Sequence, residues 1–360
     1  MNTLWNFKSQ RSNACSGRIL FVLLLFTAPP SLLPAVFKNS LAGQLADAST
    51  GKAVYYANVF LANTTLGSTS DSSGSYLIKA IPPGHYTLVV AHIGYETEQI
   101  NLQIGAGDKS IYNFVLHPRV MELQSLYIEG LRDPEWLRQL ERFKKEFLGF
   151  SENAGACEMV NPEVMRLTLE GTNLRAASAA PLEIIHHRLG YRILVIIKSF
   201  FIRDDQTYYS LLPVFQPLTP KDATQEKEWQ VNREQAFWGS YRHFFYALFS
   251  GQLEAAQFSV ESVDESRPFK ASMNRYTSRS APGSIYSNTS YGLIKKIHFN
   301  NYLRIRYQEN FAKTSFLKLP FDTLQVDLTG SSMTDAKIIR SGYWGSIRFA
   351  DELPLDYQPE

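Results

Sequence analysis

The sequence predicts an α+β chain, mainly β, in which an N-terminal seven-stranded β-sandwich precedes a β-rich domain with two main helical segments. Three observations predict it. Tyr and Phe number 19 and 23 in 360 residues while charged residues make up only 19%, the composition of half-buried strands with aromatic faces. Between Leu41 and Leu116 short alternating runs are divided by turn clusters, as in a sandwich. Apolar residues then recur at helical spacing in two later stretches. With 44% hydrophobic residues, the chain has material for two or three packed domains.

Residues 1–35 have the layout of a secretory leader. Lys8, Arg11 and Arg18 precede the apolar run Ile19 to Phe26, and Ala28, Pro29, Pro30 and Pro34 follow it. The prolines interrupt the run before it reaches the roughly 20 residues a membrane span requires. Ala35 and Ala42 are candidate cleavage positions; cleavage at Ala42 would cut into the first strand, which favours Ala35. Cys15 leaves with the leader, so Cys157 becomes the sole thiol, which excludes an internal disulfide and a multi-cysteine zinc site. The formal charge of +2 comes largely from the leader. A near-neutral body lacks the Lys/Arg excess that draws proteins onto nucleic acid or anionic lipid.

The sandwich, residues 41–118, reads strand by strand. Asp47 to Gly51 is a loop, Tyr55 to Leu61 a strand, and Asn63 to Gly67 a turn. Asp71-Ser72-Ser73-Gly74 forms an Asx-type turn with Gly74 free to take positive φ, and Ser75 to Lys79 alternates inward and outward. Pro82-Pro83-Gly84 makes a corner. Tyr86 to Ala91 is a strand, Gly94-Tyr95 breaks it, and Glu98 to Ile104 and Ile111 to Leu116 are the last strands.

As an ordered set, Gly43, Asp47 with Thr50-Gly51, Ala57-Asn58-Val59, Asp71 to Tyr76, Ile81 to Tyr86 and Gly94-Tyr95 carry a resemblance. The segment resembles the carboxypeptidase regulatory-like family, a transthyretin (prealbumin)-like sandwich that recurs in exported proteins of the Bacteroidetes type. The resemblance covers under a quarter of the chain. It implies a folding and docking module attached to peptidases, outer-membrane receptors or other domains, and it does not imply peptidase activity. Asp71, Gly74, Pro83, Gly84, Gly94 and Tyr95 are expected to shape turns, and His85 and His92 stand isolated.

The second domain, residues 131–360, follows a strand-like run from Leu123 to Gly130. Asp133 is placed to cap a helix starting at Pro134, with Trp136, Leu137, Leu140, Phe143, Phe147 and Leu148 on one face. Glu141, Lys144, Lys145 and Glu146 make the other face mixed in charge, which fits docking onto a core better than onto a membrane. Pro181 to Ile197 reads as two strands joined near Leu189-Gly190. In such a strand the adjacent His186 and His187 point to opposite faces, away from a shared metal. Ala223 to Gln257 is a helical stretch holding Arg233, Gly239-Ser240 and His243-Phe244, an arrangement similar to Bacteroidetes proteins that carry the regulatory-like module at their N-terminus. Strand-like runs return at Tyr291 to Phe299, Tyr302 to Tyr307, Thr323 to Leu328 and Tyr343 to Phe349. The aromatic turns at Gly342 to Gly345 and Leu353 to Tyr357 suit packing or a glycan-stacking surface.

None of the seven histidines begins His-x-x-Glu or His-Glu-x-x-His, the zinc-peptidase ligand patterns. There is no Walker loop, and Gly105-Ala106-Gly107-Asp108 lacks the flanks of a dinucleotide loop. The sequence therefore points to a non-catalytic exported binding or assembly protein of the cell envelope, in the periplasm, at the outer membrane or outside the cell. Its docking module is the sandwich and its partner an envelope protein or glycan. No cofactor, metal or nucleic acid is expected, nor a transmembrane span after the leader. The alternative is an unrecognised hydrolase using the candidate cluster Arg233, Ser240 and His243; the pair three residues apart can meet on one helix face, but no orienting carboxylate or oxyanion hole is visible.

Overall fold

Eight short strands build the first body: β1 (Asn39–Asp47), β2 (Asn58–Leu61), β3 (Gly67–Thr69), β4 (Ser75–Ile81), β5 (Gly84–Ala91), β6 (Glu98–Ile104), β7 (Lys109–Ile111) and β8 (Phe114–Leu116). The computed structural model describes residues 39–119, 133–203, 206–263, 277–279, 285–290, 292–334 and 337–360. The expected leader with Cys15, and the run from Leu123 to Gly130, lie outside these residues.

The strands form two sheets. One has the order β4-β1-β7, with β8 also on β1; the other has the order β3-β2-β5-β6. Alternation sends Leu41, Leu45, Ile78, Leu88 and Val90 into the core between them. β7 and β8 both run parallel to β1, separated at Tyr112 and Asn113. There the Tyr112 carbonyl accepts from Tyr76 Oη at 2.7 Å, and a Cβ on Gly43 would lie 1.8 Å from that carbonyl oxygen. The strand expected from Tyr55 starts instead at Asn58. Tyr56 is left-handed at φ +64°, and the buried Ser70 hydroxyl holds the bend, accepting from Ala57 N and donating to Val54 O.

The run Leu88 to Ala91 is buried at every position, as expected of a strand covered on both faces. Phe60, Ala62, Val89 and Ala91 pack outward against Leu212 and Val214 of the next body. The turn after β2 completes the join. Asn63 N donates to Pro213 O at 2.7 Å, Phe215 N to Thr64 O at 2.9 Å, and Leu355 N to Asn63 O at 2.7 Å. The Asp356 carboxylate accepts from both the backbone and the hydroxyl of Thr65.

The middle body carries α1 (Pro134–Leu148), α2 (Glu152–Gly155), β9 (Cys157–Met159), β10 (Met165–Glu170), β11 (Asn173–Ser178), β12 (Leu182–His186), β13 (Tyr191–Arg203) and β14 (Gln206–Pro217). Its sheet runs β10-β11-β13-β12-β9, with β14 paired along β13. The Asp133 carboxylate caps α1 by accepting from Glu135 N, with Pro134 in the first turn. Leu140, Phe143, Phe147 and Leu148 are buried against the sheet, while Leu137 lies outside the buried stripe.

The C-terminal body adds α3 (Ala223–Phe237), α4 (Tyr241–Phe249), β15 (Phe258–Val263), β16 (Thr277–Arg279), β17 (Tyr286–Asn288), β18 (Ile294–His298), β19 (Tyr302–Tyr307), β20 (Thr314–Lys318), β21 (Thr323–Asp327), β22 (Ile339–Gly342) and α5 (Tyr343–Ser346). Two sheets, β16-β15-β19-β20-β22 and β17-β18-β21, enclose α4. The helical stretch expected from Ala223 to Gln257 is two helices broken at Gly239. The strand expected over Tyr343 to Phe349 is instead a helical turn. Gly342 at φ +70° ends β22, and Trp344, 3% exposed, inserts into the core. The chain is thus mainly β, with helices packed on its sheets. No helix among the described residues is long and apolar enough to cross a membrane.

Candidate functional site

The three cluster residues sit at the α3–α4 junction, and each has a geometric task there. Ser240 is the N-cap of α4, its Oγ accepting from His243 N at 3.1 Å. His243 Nδ1 in turn accepts from Gly239 N at 3.1 Å, which leaves the ring proton on Nε2. The imidazole is surrounded by the rings of Phe237, Trp238, Phe258 and Tyr307, and burial pushes its pKa down to about 4. Gly239 has φ +79°, and a Cβ there would lie 2.6 Å from the Tyr307 ring. Its carbonyl accepts from Trp344 Nε1 at 2.9 Å. Gly239, Ser240 and His243 thus make a helix start locked into an aromatic core.

Arg233 binds the β12–β13 turn. Its Nε donates to Leu189 O at 2.7 Å and an Nη to Gly190 O at 3.3 Å, with the guanidinium 4.4 Å over the Tyr191 ring. Trp229 Nε1 donates to His187 O and Asn232 Nδ2 to Arg188 O. One face of α3 therefore reads four consecutive carbonyls, those of His187 to Gly190, using residues at i, i+3 and i+4. The spacing Trp229-x-x-Asn232-Arg233 was the available signal for this. Arg233→Lys keeps the charge but loses the flat stacking and the fork; denaturant unfolding is expected to show a loss of about 1 kcal/mol.

In the sandwich Asp71, Gly74, Pro83, Gly84, Gly94 and Tyr95 lie in or beside the bends between strands. Asp71 Oδ1 accepts from Ser73 N, Ser73 Oγ and Ser75 N, and Gly74 takes φ +76°. Pro83 and Gly84 join β4 to β5, where Tyr86 Oη donates to Pro82 O. Gly94 takes φ +92°, and Tyr95 Oη donates to Asp47 Oδ2 at 2.8 Å. This bond, followed by those from Thr50, holds the Asp47 carboxyl below its usual range. His186 is buried and bonds Ala350 O through Nε2, whereas His187 is exposed beside Glu158.

Beside the junction lies a cleft of about 210 Å³ between α2, the β12–β13 turn, α3 and α5. Hydrogen-bonding side chains dominate its lining. Arg188 pairs with Glu152 at 3.0 Å and lies within 3.5 Å of Gln235. Asp351 accepts from Ser151 Oγ and Asn153 Nδ2, both at 3.0 Å, and burial raises its pKa. Cys157, half-buried, donates to Asn153 O; burial, and after it the Asp351 charge, pushes the thiol up to about 12, so it is unreactive at neutral pH. Trp238, 41% exposed, and Tyr343 supply the aromatic surfaces. A wider hollow of about 460 Å³ along the outer face of α1 is bordered by side chains that pair along the helix, Arg138 with Glu135 and Lys144 with Glu141, and is an ordinary solvated helix face. Among the described residues no three His, Cys, Asp or Glu side chains group as a metal site.

Residues 41–128 match the CarboxypepD_reg-like domain family. No curated protein matches the chain. Among solved structures, it is similar to a C-terminal interface mutant of the type II cohesin–X-dockerin complex from Acetivibrio cellulolyticus, at 24% identity over 20% of this chain and 52% of that one, with a TM-score of 0.18. The chain thus spans about half the length of that structure. It is also similar to the pilus 2b backbone protein of group B streptococcus, at 18% identity over 23% of this chain and 42% of that one, with a TM-score of 0.20. A DUF3823 family protein from Parabacteroides merdae is 10% identical over 53% of this chain and 84% of that one, with a TM-score of 0.19. At such TM-scores none of these likenesses bears on what the chain does.

Proposed function

We propose that this chain, whose first body is a CarboxypepD_reg-like domain, is a non-catalytic binding protein exported to the cell envelope. In this reading the sandwich docks a partner and the Trp238 cleft receives a hydroxyl-rich ligand, a sugar unit of an envelope glycan. The observation that carries the ligand class is the pairing of the 41% exposed Trp238 indole with a small cleft lined by Arg, Gln, Asn and carboxylate side chains. Sugar rings present C–H faces that stack on aromatics and hydroxyls that need such donors and acceptors. The cleft is smaller than a drug-sized pocket, which suits a single ring.

The geometry at Ser240 supports binding over hydrolysis. A serine nucleophile needs a base with a free lone pair aimed at its hydroxyl. His243 Nδ1 already accepts from Gly239 N, and Nε2 carries the proton.

Calorimetric titration of the purified protein with neutral and N-acetylated oligosaccharides tests the reading. Binding is expected, weakened about tenfold by Trp238→Ala, a change of about 1.4 kcal/mol. Failure to bind any saccharide, or binding indifferent to Trp238, would overturn the ligand class. Ester or glycoside turnover abolished by Ser240→Ala in a folded variant would replace the reading with the hydrolase.

A further inference from the structure

The two faces of the sandwich have different fates. The outer face of β2 and β5 is buried against β14, which fixes the sandwich to the rest of the chain. The outer face of β4-β1-β7 and β8 is open, and the strand register says what lies on it. Leu77 is paired with Ala42 and Ala42 with Ile111, so the three stand in one row across the sheet. Val115 stands beside Ala46 further along β1. Leu77, Ile111 and Val115 are 44%, 75% and 58% exposed. The Leu77 to Ile111 row spans about 10 Å, and Val115 lies about 13 Å further along.

Among the described residues of these strands, the charge on this face has one sign. The next row is Lys79, Ser40 and Lys109. Both lysines are exposed, and among the described residues neither has an ion-pair partner. The remaining outward positions on these strands are Ser75, Gln44 and Ala46, so among the described residues of these strands no carboxylate stands beside the lysines.

We propose that this open face is the docking surface of the sandwich for a protein whose contact patch is apolar and bordered by Asp or Glu side chains. The proposal rests on the binding-protein reading above and gives its docking module a location and a partner chemistry. Charge complementarity selects the acidic border, because unanswered lysines beside an apolar row are neutralised and steered by carboxylates. The outward residues are aliphatic, without the Trp and Tyr that anchor proteins at a lipid interface, which favours a protein over a membrane. The fixed rear face means that the surface is presented rigidly, with little ordering required on binding.

The test places a photoreactive phenylalanine analogue at position 77 or 111 of the full chain, in the cells that make it, with position 226 on α3 as control. Positions 77 and 111 are expected to give one discrete adduct with another protein, mapped by mass spectrometry to a segment with Asp or Glu beside apolar residues. Position 226 is expected to give none. Lys79→Glu combined with Lys109→Glu should lower the adduct yield about tenfold while the variant melts like the parent. An adduct with lipid, with a second copy of the chain, or with a protein indifferent to the charge reversal overturns the proposal, as does the lack of any adduct. Fractionation of the same cells and saccharide titration of the same variants report on the binding-protein reading separately, so either can fail alone.

Discussion

Phe147→Ala is expected to destabilise the folded chain by about 3–5 kcal/mol, the range for deleting a buried aromatic ring. Phe147 is fully buried and joins three elements distant in sequence. It stacks on Phe143 at 5.0 Å and on Phe349 at 4.7 Å, and meets Phe200 and Tyr209 edge-on at 6.3 Å and 6.4 Å. These partners come from α1, the β13–β14 hairpin and the C-terminal segment. Because each is anchored in its own element, the cavity cannot be filled by the shift of one side chain, which places the cost high in the range. Urea unfolding reads it as a lowered midpoint with an unchanged slope. Leu137→Ala, on the same helix but 46% exposed, is the control, expected to change stability by about 0.5 kcal/mol or less. Phe349→Ala combined with Phe147→Ala should cost less than the sum of the two, since they share one stack. Equal effects at positions 137 and 147 would sink this account of the core.

The sandwich was legible in the sequence because its turns are chemical. Asp71 and Gly74 mark a turn whose carboxylate bonds and positive φ require those residue types, and Gly94 likewise needs its freedom. The same physics recurs, unnoticed in the sequence, at Asp327-Leu328-Thr329-Gly330-Ser331. There Asp327 Oδ1 accepts from Thr329 N, Thr329 Oγ1 and Ser331 N, the same pattern as at Asp71. The two differ only in setting: hydrogen bonds lower the exposed Asp71, whereas burial raises Asp327. What the sequence concealed depends on distant partners. Tyr343 to Phe349 has the apolar content of a strand, but Trp344 finds Gly239 O 105 positions away and the backbone turns to reach it. The β14 strand and its join to the sandwich left no local mark. Leu212 and Val214 read like any buried pair until Phe60 and Val89 are set against them. Arg233, Ser240 and His243 were visible as a group, but their roles depend on which atoms they face, and only the fold supplies those. The cleft beside them, built from five separate segments, had no signature except the exposed Trp238.

Below pH 6.5 the protein is expected to lose stability, and His243 is expected to cause a measurable share of the loss. Its imidazole titrates near 6.5 in the unfolded chain and is pushed down to about 4 by burial. Between those values the unfolded state binds the proton and the folded state does not. Stability is therefore complete above pH 6.5, falls as pH drops toward 4, and is affected no further by this group below that. Each pKa unit corresponds to about 1.4 kcal/mol; allowing for partial screening by solvent, the share is about 2 kcal/mol. His186, also lowered chiefly by burial, acts in the same direction. Asp327, Asp351 and Glu352, raised chiefly by burial, act in the opposite one, becoming easier to keep buried as the pH falls. The single-residue share is isolated by His243→Asn. Its Oδ1 can still accept from Gly239 N, but it carries no titrating group. The variant starts less stable at pH 7.5 because the ring is gone. Urea unfolding at several pH values down to 4.5 should nevertheless show it losing about 2 kcal/mol less than the parent over that interval. Parallel stability curves would mean that the imidazole is solvated in the folded chain, and the aromatic enclosure described around it would then be wrong.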